Sequence, residues 1–334
     1  MPGAEPPGRV DEFEAIARLL RPLTGGAPEA LGLMDDAAVI PGRPGFDLVV
    51  SNDAMVEGVH FLAEDPLEMV ARKLLRVNLS DLAAKAAEPY GYFLAAAWPP
   101  GFGWSQRERF AEGLAQDQAA FGLTLLGGDT TSTPGPLTLS LTILGWAPQG
   151  RTVLRSTARA GDRILVSGTI GDGFLGLMAA QGRLPALEEL DQAWLADRYR
   201  LPSPRTGLRD ALRAHAAAAA DVSDGLLADA GHIGEASGAG LVLHLDRLPL
   251  SESARAWLSG QPDQARALAR LATGGDDYEV VCAARPDQAA ALAAAGDAAG
   301  LMLTDVGEVV EGQGTEALHL GRRLELQRTG WTHG

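Results

Sequence analysis

The sequence is poor in lysine, and its charge balance excludes two classes of partner. Lys73 and Lys85 are the only lysines among 334 residues, and 43 acidic residues outnumber 28 basic ones, for a net charge of −15. Proteins that bind nucleic acid neutralise its phosphates with lysine and arginine, so we expect no nucleic-acid partner. Anionic membrane surfaces likewise attract basic segments, so we expect no membrane partner.

Cysteine and long apolar runs are also scarce. Cys282 is the only cysteine, which excludes an intramolecular disulfide and a cysteine-rich metal site. It lies in the apolar segment 279–283, which predicts a buried strand with Cys282 as a small core residue. No stretch approaches about 18 consecutive apolar residues, so we expect no transmembrane helix. The first residues show no signal-peptide pattern, and we expect a cytoplasmic location.

Common motifs for phosphate binding and nucleophilic catalysis are missing as well. No Gly-x-x-x-x-Gly-Lys-Ser/Thr sequence occurs, which excludes a P-loop, and no Gly-x-Ser-x-Gly turn supports a nucleophilic serine. The glycine-rich segment 168–173 leads from a predicted strand into a predicted helix. Its backbone amides could receive an oxyanion, but a plain strand-to-helix turn fits the same pattern.

The sequence instead contains short acidic clusters at the ends of predicted strands and helices. Carboxylates that converge on one place repel each other unless hard cations hold them together. Any one aspartate could cap a helix or stabilise a turn, but the recurrence favours a shared Mg²⁺ site over separate caps. The clusters are 34–36, 51–53, 78–81, 127–129, 221–225, 274–277 and, more loosely, 171–173, and the candidate ligands are Asp36, Asp53, Asp81, Asp129, Asp221 and Asp224.

A nucleoside triphosphate is the ligand that such a site would suit. Without a P-loop lysine, its negative charge must be neutralised in another way. Mg²⁺ ions, each held by one or two carboxylates, are the simplest solution. The residues alone therefore predict a phosphate site that uses several Mg²⁺ ions.

Helical and strand patterns alternate along the chain and restart near residue 150. We predict an α/β protein with mixed α+β sheets and two domains, residues 1–149 and 150–334. The predicted helices are 11–21, 67–82, 105–121, one from 174, 206–217, 225–232, 252–259, 262–272 and 287–295. The predicted strands are 36–40, 47–53, 90–97, 124–126, 137–145, 163–167, 241–245, 278–283, 302–310 and 316–320, and the run 216–220 is interpreted as a helix end that enters a short strand.

Nine motifs, taken in order, resemble those of one known family. They are Asp35-Asp36-Ala37-Ala38, Ser51-Asn52-Asp53, Glu57-Gly58-Val59-His60-Phe61, Asn78-Leu79-Ser80-Asp81, Gly127-Gly128-Asp129-Thr130-Thr131, Arg155-Ser156, Arg200-Leu201-Pro202-Ser203-Pro204-Arg205, Asp221-Val222-Ser223-Asp224-Gly225-Leu226 and Gly274-Gly275-Asp276-Asp277-Tyr278-Glu279. Each is modest alone. In this order and spacing, over nearly the whole chain, they resemble the thiamine-monophosphate kinases, whose superfamily includes aminoimidazole ribonucleotide synthetase and selenophosphate synthetase.

The resemblance implies an activity and a fold. The implied reaction is ATP-dependent phosphorylation of thiamine monophosphate to thiamine diphosphate, the last step of thiamine diphosphate biosynthesis, by direct in-line transfer with several Mg²⁺ ions. We assign no catalytic base, because the attacking group is already a phosphate oxygen. The implied fold is a two-domain, aminoimidazole ribonucleotide synthetase-like fold, in which the N-terminal sheet forms a barrel-like homodimer.

The resemblance also implies roles for individual residues. The indole face of Trp331 suits a cationic thiazolium ring. His60 is open to a structural or a substrate-binding role from the sequence alone. The chain departs from the family pattern at Met34, Asn52 and Asp276, where glycine, threonine and glutamate are usual. The implied Mg²⁺ ligands are Asp36, Ser51, Asn52, Asp53, Asp81, Asp129, Asp221 and Asp224, the ATP contacts are Gly128, Asp129, Arg155 and Ser223, and the thiamine monophosphate contacts are His60, Asp276 and Trp331.

Two other functions compete with this interpretation. Another ATP-using member of the same superfamily would share the motifs, although the position of Cys282 argues against a selenophosphate synthetase with an N-terminal nucleophile. A non-catalytic protein that binds a Mg²⁺-nucleotide would keep the fold. The complete set of six candidate aspartates argues against lost catalysis.

Overall fold

The computed structural model describes residues 11–326 and 328–331. The chain forms two compact units, one from residues up to 79 together with 89–149, and the other from 80–88 together with 150 onward. The segment 80–88 therefore groups with the C-terminal unit and not with its neighbours in the sequence.

The N-terminal unit begins with a helical region and contains a four-stranded sheet. Helix α1 (Glu12–Ala15) continues through a π-helical segment and a 3₁₀ segment to Thr24, which confirms the first predicted helix. The other helices are α2 (Leu67–Ala84) and α3 (Trp104–Phe121). The strands are β1 (Phe46–Val56), β2 (Glu88–Trp98), β3 (Leu125–Ser132) and β4 (Thr138–Pro148).

The four strands form a mixed sheet in the order β1-β4-β2-β3. Strands β1 and β4 pair antiparallel along their full length, whereas β2 and β3 pair parallel. The prediction of a mixed sheet is therefore confirmed. Among the described residues the sheet is open, with β1 and β3 as its edges, so the barrel-like dimer stays a prediction.

The C-terminal unit is built on a seven-stranded sheet in the order β11-β10-β7-β9-β5-β8-β6. Its strands are β5 (Arg163–Ser167), β6 (Ala216–Val222), β7 (Gly240–His244), β8 (Glu279–Ala284), β9 (Leu303–Val310), β10 (Thr315–His319) and β11 (Arg322–Arg323). Its helices are α4 (Asp172–Ala180), α5 (Glu189–Arg200), α6 (Arg209–His215), α7 (Leu226–Ser237), α8 (Glu252–Ser259), α9 (Gln264–Ala272) and α10 (Pro286–Ala298).

Both faces of this sheet are buried. Ile164 and Val166 of β5 pack in one hydrophobic core, and the intervening Leu165 packs in a second core together with Cys282. Since successive side chains of a strand point to opposite faces, helices must cover both sides. Burial raises the pKa of the Cys282 thiol to about 12, so Cys282 is the protonated core residue that the sequence predicts.

The predicted strand at 36–40 is wrong. This segment contains a bend and extended residues but no strand, and it follows a 3₁₀ helix at Pro28–Leu33. The backbone N–H of Val39 donates to the carbonyl of Glu29, and the Val39 side chain is 64% exposed. The apolar run has the composition of a strand, but a strand needs a neighbour to satisfy its backbone groups.

Three other predictions needed revision. The predicted passage from a helix end into a short strand is present, but the helix ends earlier, at His215, and all of residues 216–220 lie in β6, because pairing with β8 overrides the helical preference of alanine. The strand predicted at 124–126 continues through the glycines to Ser132, since the parallel partner β2 supplies hydrogen bonds that far. The sequence prediction also missed α5. No helix in the described ranges is long and apolar enough to cross a membrane.

A buried carboxylate joins α2 to α3 in the N-terminal unit. Both oxygens of Asp117 are used: Arg76 binds them at 2.6 and 3.1 Å, and the Arg72 Nε binds one of them at 2.9 Å. The Asp117 side chain is 1% exposed. Arg72 and Arg76 of α2 therefore form ion pairs with the same carboxylate of α3.

We predict that Asp117→Ala lowers the free energy of unfolding by about 3–5 kcal/mol, because removing one partner leaves buried charge uncompensated. Urea unfolding followed by circular dichroism measures the change. Glu68→Ala is the matched control, since it removes an exposed ion pair with Arg109 between the same two helices. An equal shift of the urea midpoint in both variants would contradict the role given to Asp117.

Candidate active site

The loop between β6 and α7 is organised by one carboxylate. Asp229, in the first turn of α7, accepts hydrogen bonds at its Oδ2 from the backbone N–H groups of Ser223, Asp224 and Gly225, at 3.0, 3.0 and 3.1 Å. Three successive N–H groups of the loop thus point to one buried carboxylate oxygen. The loop carries Ser223, a predicted ATP contact, and Asp224, a predicted Mg²⁺ ligand. The sequence analysis missed Asp229, although an acid in the first turn of a helix is a recognisable signal.

The electrostatics of this loop show an excess of negative charge. The pKa of Asp229 is raised to about 7, mainly by burial and secondly by the charge of Asp224, while the backbone donors and Arg155 oppose the shift. Asp224 therefore lies close enough to Asp229 to disfavour its ionisation. A cation beside Asp224 would relieve this repulsion.

A second set of charged groups gathers around Lys85. Its Nζ donates to the carbonyl oxygen of Ala219 in β6 at 2.9 Å. The pKa of Lys85 is lowered to about 8, mainly by burial and secondly by the charge of Arg155, while the charges of Asp221 and Asp81 oppose the shift. The C-terminal unit thus brings three predicted residues near one lysine that the sequence analysis did not assign.

The predicted substrate residues Asp276 and Trp331 lie against the same loop. The backbone N–H of Asp276 donates to the Ser223 carbonyl at 2.9 Å, and that of Trp331 donates to the Asp224 carbonyl at 2.9 Å. Gly275 is required here, because a Cβ at that position would lie 2.5 Å from the Ser223 carbonyl oxygen. The Trp331 side chain is half-exposed. These contacts place residues predicted to bind two different substrates on adjoining backbone.

The glycine-rich segment 168–173 is a strand-to-helix turn. The N–H groups of Gly171 and Gly173 donate to the buried carboxylate of Asp277 at 2.7 and 2.9 Å. Asp172 is itself buried and accepts hydrogen bonds from the hydroxyls of Thr169 and Ser251. These amides are already used within the protein, which favours the plain turn over an oxyanion site.

In the N-terminal unit, β1 separates its three predicted ligands between two faces. Ser51 and Asp53 share one face, and Asn52 lies on the other. The Asn52 amide donates to Ser140, Leu141 and Thr142 of β4, at 2.9 to 3.1 Å. Its role as a metal ligand stays a prediction, in which a side-chain or backbone oxygen of Asn52, and not its amide nitrogen, would bind the ion. The Asp53 backbone N–H donates to the side chain of Asn78.

Asp129 and Asp36 occupy different places in this unit. Asp129 is exposed on β3, an edge strand, and β3 is separated from β1 by two strands. Within this unit the sheet therefore does not bring Asp129 next to Asp53. A Cβ on Gly128 would lie 1.9 Å from the Leu94 carbonyl oxygen, so glycine is required for this stretch of β3 to pair with β2. Asp36 is exposed in a bend after the 3₁₀ helix.

His60 has a structural contact through its ring. The ring Nδ1 accepts the backbone N–H of Val56 at 3.0 Å, and Lys73 donates to the His60 carbonyl at 3.0 Å. Because Nδ1 accepts, the neutral ring carries its proton on Nε2. Glu57 and Phe61, which flank His60 in the sequence, line an open cavity of about 440 Å³. A substrate contact by His60 stays a prediction.

The donors present suit Mg²⁺ chemically, although no metal geometry is assembled. Among residues 11–326 and 328–331, no three His, Cys, Asp or Glu side chains are arranged to hold one ion. Aspartate oxygens are the ligands that Mg²⁺ prefers, and the C-terminal unit places Asp224 close to the buried carboxylate of Asp229.

Family models and individual proteins match this chain over most of its length. The model for the N-terminal domain of AIR synthase related proteins matches residues 34–147, and that for the C-terminal domain matches residues 159–319. A thiamine-monophosphate kinase of Caulobacter vibrioides is 60% identical over 333 residues, which cover 100% of this chain and 93% of that protein. That of Escherichia coli K12 is 37% identical over 96% of this chain and 98% of its own length.

Two solved structures have similar folds. The thiamine-monophosphate kinase of Stenotrophomonas maltophilia K279a superimposes with a TM-score of 0.81 and 38% identity, covering 92% of this chain and 96% of that one. AaThiL in complex with AMPPCP and TMP superimposes with a TM-score of 0.77 and 27% identity, covering 97% of both chains.

We predict that Asp229→Ala lowers the free energy of unfolding by about 2–4 kcal/mol, because backbone donors around the loop lose their acceptor. Asp229→Asn retains one acceptor oxygen and should lose less. Urea unfolding gives the stability, and amide hydrogen exchange at Ser223 and Asp224 locates the change. If alanine and asparagine are equivalent in both measurements, Asp229 does not organise the loop.

Proposed function

Because the chain belongs to the thiamine-monophosphate kinase family, we propose that it transfers the γ-phosphoryl group of ATP to thiamine monophosphate. The products are thiamine diphosphate and ADP, and the reaction is the last step of thiamine diphosphate biosynthesis. The observation that carries the proposal is the grouping of Asp81, Asp221 and Arg155 around Lys85 in the C-terminal unit, in a chain 60% identical to a thiamine-monophosphate kinase.

The main physical difficulty of this reaction is repulsion between two anionic substrates. The positive charge of Arg155 offsets part of the phosphate charge. When bound, Mg²⁺ ions neutralise phosphate oxygens and stabilise charge on the transferred group. The proposed ATP contacts are Gly128, Asp129, Arg155 and Ser223, and the proposed Mg²⁺ ligands are Asp36, Ser51, Asn52, Asp53, Asp81, Asp129, Asp221 and Asp224.

We propose that the transfer is direct and in line, without a catalytic base. The acceptor is a phosphate oxygen, which is already ionised at neutral pH. The protein therefore needs to orient two phosphates and reduce their repulsion, which is how most phosphoryl transfer is catalysed. Cys282 is buried and protonated, so it does not offer a nucleophile for a covalent intermediate.

His60, Asp276 and Trp331 are the proposed contacts of thiamine monophosphate. The half-exposed indole of Trp331 can stack on the cationic thiazolium ring. Asp276 would provide a carboxylate to the same substrate, and its backbone is hydrogen-bonded to Ser223 in the loop that Trp331 also contacts. A cationic ring fits this combination of an aromatic face and negative charge.

We also propose that the protein works in the cytoplasm as a homodimer. Leu48 and Val50 of β1 are 41% and 55% exposed, and they lie on the same face of an edge strand. An apolar strand face of this kind supports pairing of two N-terminal sheets across a two-fold axis. The net charge of −15 supports the absence of nucleic-acid and membrane partners.

Purified protein incubated with ATP, Mg²⁺ and thiamine monophosphate should form thiamine diphosphate and ADP. Chromatography of the thiamine esters measures the product, and reactions without ATP or without Mg²⁺ are the controls. Aminoimidazole ribonucleotide synthetase and selenophosphate synthetase substrates, tested in parallel, cover the competing members of the superfamily. Turnover of one of those substrates with no thiamine diphosphate would overturn the proposal.

Asp81→Asn and Asp129→Asn should each reduce turnover at least about 100-fold, because each removes a negative charge proposed to hold a Mg²⁺ ion beside the transferring phosphate. Isothermal titration with Mg²⁺-AMPPCP should show weakened binding, while circular dichroism shows an unchanged fold. Asp210→Asn is the control, since this aspartate is exposed in the first turn of α6. Turnover like that of the wild type in both site variants would refute their role as ligands.

A further inference from the structure

Asp277 is a buried carboxylate that has no part in the proposed phosphoryl transfer. It is 1% exposed, and its two oxygens accept the N–H groups of Gly171 and Gly173, at 2.7 and 2.9 Å. Burial raises its pKa well above the usual value, and the two backbone donors oppose that shift. Asp277 thus joins the loop 274–278 to the first turn of α4.

The two segments also pack with no space between their backbones. A Cβ on Gly173 would lie 2.2 Å from the carbonyl carbon and oxygen of Asp276. A Cβ on Gly274 would lie 2.5 Å from the Cβ of Phe174. A small displacement of α4 would therefore move the backbone of Asp276 directly.

The residues on either side of Asp277 adopt an unfavourable backbone conformation. Asp276 has φ of +71° and Tyr278 has φ of +51°, in the left-handed region that residues other than glycine rarely adopt. Their N–H groups donate to the carbonyls of Ser223 and Val222, at 2.9 and 2.7 Å. The surrounding contacts must hold this conformation, and the Asp277 side chain is anchored between the two strained residues.

The end of the same loop is fixed by an ion-pair network. Glu279 is fully buried, pairs with Arg205 and Arg198, and accepts the hydroxyl of Ser167 at 2.6 Å. Arg205 comes from one of the motifs that the sequence analysis singled out but did not assign. The loop is therefore held at Asp277 and at Glu279, with Asp276 next to the first of these anchors.

We propose that Asp277 is a positioning residue, which holds the Asp276 side chain in the orientation that binds thiamine monophosphate. This inference rests on the proposed function, and specifically on a contact between Asp276 and that substrate. Asp277 itself touches no substrate. It acts by fixing the backbone of its neighbour against α4.

Steady-state kinetics of Asp277→Asn test the proposal. Asparagine has nearly the same volume, but its amino group would face a backbone N–H in place of an accepting oxygen. We expect KM for thiamine monophosphate to rise about 10-fold or more, with KM for ATP changed by less than about twofold. Asp162→Asn is a control for the loss of a buried carboxylate elsewhere in the C-terminal unit, because this carboxyl is 2% exposed, accepts a backbone N–H from Arg159 and pairs with Arg285.

A glycine pair in α4 gives a second, independent test. Gly173→Ala should push the Asp276 backbone away and raise KM for thiamine monophosphate in the same way. Gly176→Ala introduces an equally close contact one turn later, 2.2 Å from the Leu195 carbonyl oxygen, but faces α5. We expect Gly176→Ala to reduce thermal stability without changing that KM.

The outcomes separate this inference from the proposed function. If the wild-type protein fails to phosphorylate thiamine monophosphate, the proposed function fails first. If the wild type is active, the inference is overturned when Asp277→Asn keeps its KM within about twofold, or when the Asp162 and Gly176 controls raise KM equally. If Asp277→Asn does not fold, the comparison of Gly173→Ala with Gly176→Ala decides.

Discussion

Repulsion between carboxylates is the constraint on which the C-terminal unit depends. The pKa of Asp229 is raised to about 7 by burial and by the charge of Asp224, while Asp221 and Asp81 act on Lys85. Lys85 and Arg155 are the positively charged groups that act on these carboxylates. A ligand that carries its own cations would complete the balance, which is why a nucleotide with Mg²⁺ suits these residues better than a phosphate alone.

The aspartates of the motifs divide into two kinds with different physical roles. Asp277 is buried and accepts backbone N–H groups, so it determines the path of a loop. Asp229 does the same for the loop 223–225, from a position just outside the motif. Asp224 and Asp276 lie on these loops beside the buried acids and are partly accessible. A carboxylate in the core thus sets the path of a loop that carries a partly accessible carboxylate.

Much of the fold followed from sequence patterns. The helices α2 and α3 and the strands β1 and β4 have apolar periodicities that their environments preserve. The predictions that failed did so for physical reasons. The segment 36–40 is not a strand, because no neighbouring strand pairs with it among the described residues. The alanines of β6 form a strand because β8 lies beside them. The candidate site was predictable as a set of residues, because its acids sit in recognisable motifs. A shared site was expected, but the grouping of Asp81, Asp221 and Arg155 around Lys85 was not, since Arg155 and Asp221 are distant in the chain.

The sequence by itself determined the chemistry of this protein: an acidic chain with two lysines, one cysteine and six candidate ligand aspartates. It predicted these aspartates at the ends of strands and helices, whereas Asp53 and Asp129 lie within β1 and β3. Composition and motif order are local properties, so they can be read without coordinates. Only the tertiary structure decided which acids are buried supports and which are open to a ligand. Asp276 and Asp277 are adjacent and identical in type, and only packing against the first turn of α4 makes one a buried support and leaves the other on the loop surface.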